Sequence, residues 1–182
     1  MLFSGVIEGG HDLTVTTSGM TTFSGRIGQS IVLPALSSLT VGGALTISTD
    51  KIVTSVGQSY QGAVTLTQDL ALASTLNGSI AFGSTLNGSY ALSVSTSGTT
   101  QFGGVVGGSA SPLASLSIND TQLGQLTGPT LVSTSAITTT GAQAYSGALS
   151  LGNSATLTGS GLSFASTIKS TGGSTYGLII SD

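Results

Sequence analysis

The sequence predicts an all-β fold built as a parallel β-helix, a β-solenoid with no significant helix. Three observations predict it. Single Leu, Val, Ile and Ala residues alternate with Ser and Thr along most of the 182 residues, the period-two pattern of strands with an apolar inner face. Strong helix formers are scarce, since charged residues make up only 5% of the chain while Gly supplies 28 positions. The chain also repeats itself, with a beat of about 20 residues inside a longer period of about 80 to 85.

The long period is visible in two alignments. FSGVIEGGHDLTVTTSGMTTFSGRIG (Phe3 to Gly28) runs without gaps onto FGSTLNGSYALSVSTSGTTQFGGVVG (Phe82 to Gly107). GQSYQGAVTL (Gly57 to Leu66) returns as AQAYSGALSL (Ala142 to Leu151), and LSFASTI (Leu162 to Ile168) starts a third match to the Phe82 segment. These divide one solenoid segment into a partial copy 1–56, a copy 57–141 and a partial copy 142–182, expected to belong to a longer rod. The aromatics obey the repeat. All five Phe fall at two repeat positions (Phe3, Phe82 and Phe164; Phe23 and Phe102), and the four Tyr at two others (Tyr60 and Tyr145; Tyr90 and Tyr176). Together they are the expected structural ladder, with the lone His11 aligned on Tyr90.

Within each copy, short alternating stretches between Gly, Ser and Asn turns read as strands: Leu13–Val15, Leu45–Ile47, Val64–Leu66, Leu70–Leu72, Ile80–Phe82, Leu92–Val94 and Leu178–Ile180. A unit this short cannot bury its apolar face alone and must stack on its neighbours. About nine coils at ~4.8 Å each make a rod on the order of 40 Å. An antiparallel β-sandwich is the competing fold, because Asn77-Gly78 and Asn87-Gly88 are hairpin signals. The superimposable copies favour the solenoid. The doubled hexapeptide STLNGS (Ser74 to Ser79, Ser84 to Ser89) reads as two successive turns, the second following the Phe82 strand.

The pattern Gly-x-Gln-x-Tyr-x-Gly-Ala-Val/Leu-x-Leu, followed by Leu-x-Val-x-Thr-Ser-Gly-x-Thr-x-Phe-x-Gly, resembles the repeats of very large exported bacterial proteins of the filamentous-haemagglutinin and autotransporter-adhesin kind. The resemblance implies a right-handed parallel β-helix, carried to the cell surface or secreted by a type V route, serving as an adhesin shaft. It implies neighbouring coils as partners, with a host surface or glycan, or lateral self-association, as further ones.

Few residues are available for chemistry. No Cys is present, which removes thiolate nucleophiles and Cys-based metal sites. Only Arg26, Lys51 and Lys169 are basic, so no footprint for nucleic acid exists, and no run is long enough for a membrane span. The acids Glu8, Asp12, Asp50, Asp69, Asp120 and Asp182 are dispersed, whereas carbohydrate-active β-helices need clustered carboxylates. Glu8, His11 and Asp12 form the one close trio, a single-copy metal candidate beside the plainer reading of a polar turn. No catalytic residue and no cofactor is expected. Two further functions compete with the shaft: ice binding through Thr-rich faces such as LTVTT, LTIST, VTLT and ITTT, and carbohydrate binding or cleavage.

Overall fold

The computed structural model describes residues 1–29, 33–108, 110–119 and 128–182. Each coil visits three faces, here A, B and C, in that order. The first coil places Leu2–Phe3 on face A, Ile7 on face B and Leu13–Val15 on face C. Every strand pair among the described residues is parallel, each strand lying on the one a coil below. Face C is a continuous eight-stranded sheet from Leu13–Val15 to Ile168–Ser170. Face B stacks six strands from Lys51–Thr54 to Leu162–Phe164, extended at its lower end by bridges through Ile27 and Ile7. Face A runs from Leu2–Phe3 to Leu178–Ser181, with Val106 bridging Leu86 to Ile137 where a full strand is missing.

The parallel solenoid is thus the fold, and all seven strands expected from the sequence are present. The sandwich is excluded because no antiparallel pair forms among the described residues. Coils are longer and fewer than the 20-residue beat suggests, about 22 residues and about eight turns. The beat is the step Phe3 to Phe23; elsewhere corners lengthen, and Thr100 pairs with Thr130.

Inward positions form one core. Phe23, Ile47 and Leu66 stack on face A, Leu72, Leu92 and Leu116 belong to face B, and Tyr60, Phe82, Phe102 and Val132 stack on face C, all buried. Stacking like on like keeps each column filled to native density without needing a particular side chain in any single coil. Between these residues the outward positions are mostly Ser, Thr and Ala, which suit a pleated surface.

The two periods fit together in a way that the sequence alone does not reveal. Phe3 lies on face A of the first coil, but its repeat partner Phe82 lies on face C of the fourth, eleven strand positions further along. Tyr60 on face C and Tyr145 on face B are also eleven positions apart. Eleven is not a multiple of three. Each copy is therefore turned by one face relative to the last. Local structure is preserved through the turn: Gly28 (φ 66°) and Gly107 (φ 63°) are repeat partners on different faces, and Leu36 bridges Thr54 as Leu113 bridges Thr139.

The doublet resolves into two unlike places. Ser74 to Ser79 is a corner between faces B and C, where Asn77 adopts φ 57° and the Gly78 N–H donates to Ser74 Oγ at 3.0 Å. The second copy contains the strand Leu86–Asn87 on face A, with Leu86 fully buried, so it is not the turn expected. The alternation signal was too short there, a single inward residue between Gly and Ser.

Candidate functional site

The predicted ladder separates into three ring stacks, one per face. Phe3 and Phe23 meet at 5.3 Å with planes tilted by 48°. Tyr60, Phe82 and Phe102 stack at 5.2 and 5.6 Å, close to parallel. Tyr145 and Phe164 stack at 5.3 Å and 3°. These offset parallel rings favour in-register coils beyond the area they bury. Tyr176 is half-buried against the core, whereas Tyr90 is exposed and stands outside the stacks. It sits on the turn that precedes Ala91–Ser95, at the position of exposed His11 in the first copy.

Beneath two of the stacks lies a polar device built twice. The Gln58 Nε2 group donates to the Ala73 carbonyl at 2.9 Å and to Thr54 Oγ1 at 3.3 Å, while its Oε1 accepts from the Tyr60 hydroxyl. Gln143 does the same with the Thr158 carbonyl, Thr139 and Tyr145. Burial raises the pKa of both phenols well above the ordinary value, since the charged form has no water to solvate it. The device closes a corner; it holds no group that faces solvent.

The metal candidate is not assembled. Asp12 Oδ1 accepts a 2.7 Å bond from Ser38 of the next coil, and this bond holds its carboxyl below the ordinary value. Glu8 follows the inward Ile7 on face B, at the other side of the turn. Among the described residues no group of three His, Cys, Asp or Glu side chains is placed to hold a metal ion. Asp69 Oδ1 is used to accept from the Ala91 N–H at 2.9 Å, and Asp182 Oδ1 accepts from the Gly161 N–H. Asp120 lies outside the described residues.

The surface offers shallow depressions where outward side chains are small. One of about 300 Å³ crosses face B over Ala71, Ala91, Ser93 and Ser115, with Asp50 and Asp69 at its rim. Another of about 300 Å³ crosses face C over Thr40, Ser59 and Ala81. On face A the outward residues Thr22, Thr46 and Thr65 stand in one file, beside a 2.8 Å bond from Thr67 to Ser48, and the file ends at Asn87. Comparison with protein-family models, with curated proteins and with solved structures finds no match to this chain.

Proposed function

We propose that the chain is a structural, non-enzymatic shaft segment of a large exported bacterial surface protein of the filamentous-haemagglutinin and autotransporter-adhesin kind. The observation that carries this reading is the unbroken parallel pairing of face C, eight strands from Leu13–Val15 to Ile168–Ser170. Stacked coils resist bending because every coil is hydrogen-bonded along its length to the next, and they expose little unpaired backbone to proteases except at the ends. The role is mechanical: a stiff spacer of about 40 Å, at ~4.8 Å per coil, that holds other parts of a surface protein away from the cell. Contacts with a host surface or glycan would use the corners and shallow faces. An antibody raised against the folded 182-residue chain should label intact cells of the source organism, and protease treatment of those cells should remove the label. Labelling only after lysis overturns the surface reading.

The file Thr22, Thr46 and Thr65 favours ice binding as a second reading. Thermal hysteresis of the purified chain, abolished by Thr46→Tyr, would support that reading against the shaft. The shaft reading expects freezing behaviour no different from that of an unrelated protein.

A further inference from the structure

Three segments of the chain read Asn-x-Ser or Asn-x-Thr, the acceptor pattern for attaching a sugar to an asparagine side chain: Asn77-Gly78-Ser79, Asn87-Gly88-Ser89 and Asn119-Asp120-Thr121. A chain this rich in Ser, Thr and Gly produces the pattern readily, so the letters alone select none of them. Their places in the fold do.

Asn119 is buried, and both ends of its amide are in use. Its Oδ1 accepts from the Thr96 N–H at 2.8 Å, and its Nδ2 donates to the Gly128 carbonyl at 2.7 Å. Asn87 lies half-buried in a strand of face A, paired with Thr65, and its Oδ1 accepts from the Gly108 N–H at 2.9 Å. Gly88 after it is packed so closely on the coil below that a Cβ would lie 2.5 Å from the Leu66 carbonyl oxygen. Asn77 differs on each count. It stands exposed on the corner between the strands Leu70–Ser74 and Ile80–Phe82. Ser97 Oγ, from the coil above, donates to its Oδ1 and leaves Nδ2 with no partner among the described residues. Ser79, which completes the pattern, is exposed too.

A second observation singles out the same corner. Leu76 is 66% exposed, and Val56 in the coil below is 44% exposed. The pairing of Thr54 with Ser74 continues here, and the Leu76 N–H donates to the Ser55 carbonyl at 2.7 Å, so Leu76 stands over Val56 in one apolar ridge. Charged residues make up only 5% of the chain, which leaves little else to keep such a ridge in water.

We propose that Asn77 is a glycan attachment site and that the attached sugar covers the ridge of Leu76 and Val56. This rests on the exported, surface-exposed reading and adds a modification to it. The reaction joins Nδ2 to the anomeric carbon of a phosphate-activated sugar. The bond from that carbon to the phosphate breaks, the phosphate leaves with the electron pair, and the amide nitrogen gives up one proton. Ring C–H groups then pack on the two side chains while the sugar hydroxyls face water, so an apolar corner becomes a hydrated one. No hydrogen bond of the fold is lost, because none is made by Nδ2.

Site-resolved mass spectrometry of the chain isolated from the source organism tests this. A sugar mass on Asn77 is expected, with none on Asn87 or Asn119. Sugars added singly indicate a nucleotide-linked donor, and one preassembled oligosaccharide a lipid-linked donor; either supports the site. Asn77→Gln should lose the added mass. So should Ser79→Ala, which keeps the left-handed Asn77 backbone that a glutamine would strain. Asn87→Gln should retain it, and circular dichroism checks that all three variants fold. Unmodified Asn77, or sugar on Asn87 or Asn119, overturns the proposal. A chain that is accessible to antibody on intact cells yet bare at Asn77 overturns the glycan alone and leaves the shaft reading standing. A bare chain found only inside the cells overturns both.

Discussion

The Tyr60 hydroxyl donates a 2.8 Å hydrogen bond to Gln58 Oε1, two residues back along its own strand, inside the core of the solenoid. Tyr145 and Gln143 form the same bond at 2.9 Å on another face. Tyr60→Phe leaves Gln58 Oε1 buried without its donor and should cost about 1 to 2 kcal/mol. Gln58→Leu should cost more, about 2 to 4 kcal/mol, because it strands the phenol and the Ala73 carbonyl together. Denaturant unfolding of the single variants, with the Gln143 counterparts as replicates, measures both.

Alkaline pH should unfold the protein through the same two phenols. Their folded pKa is raised by burial, so the stabilisation is fully present below the ordinary value of 10.0 and is lost as pH rises above it. Thermal midpoints should be flat with respect to tyrosine ionisation below about pH 9 and fall steeply above about pH 10. The fall should be shallower in Tyr60→Phe and Tyr145→Phe. In a chain carrying Tyr90→Phe and Tyr176→Phe, absorbance at the phenolate band should rise in step with loss of structure, not before it.

Among the described residues, three buried hydroxyls lack a hydrogen-bond partner: Thr21, Thr100 and Thr130. Thr21 and Thr100 are repeat equivalents, and Thr130 is stacked on Thr100. Valine has the same shape without the unpaired polar atom. Thr100→Val and Thr130→Val should each stabilise the fold by about 1 kcal/mol, read as a higher melting temperature. Thr46→Val, on the outside, should change it by no more than about 0.5 kcal/mol.

Two glycines carry the corners of the long repeat. A Cβ at Gly28 would lie 2.0 Å from the Val53 carbonyl oxygen, and one at Gly107 would lie 2.0 Å from that of Thr138. Both also hold a left-handed backbone. Gly28→Ala and Gly107→Ala should each destabilise by about 2 kcal/mol or more. Gly5→Ala, where nothing lies within 4 Å, is the neutral control.

The strands were legible because each is written in the alternation of inward Leu, Val, Ile or aromatic residues with outward Ser, Thr or Ala. The faces were not. Alternation says in or out, but nothing in Phe3 or Phe82 says which of three walls it joins, since that depends on every corner between them. Short strands also hid, as Leu86–Asn87 did inside a turn-like hexapeptide. Proximity in space was hidden for a related reason. Glu8, His11 and Asp12 are close in sequence, but a corner separates Glu8 from Asp12, and Asp12 is bound to Ser38 from the coil above. Sequence adjacency measures distance along the chain, while this architecture brings together residues about 22 apart.

Because eleven and three share no common factor, the inherited unit of this protein is the strand, not the coil. A gene duplication that adds one 80-odd-residue copy leaves the rod out of phase by a third of a turn, yet every strand still finds a wall to join and every Gln–Tyr pair still closes a corner. Growth by duplication needs no correction to its length. It also distributes each copy's outer features in turn around the axis, so that after three copies any epitope or contact they bear has been offered in every direction.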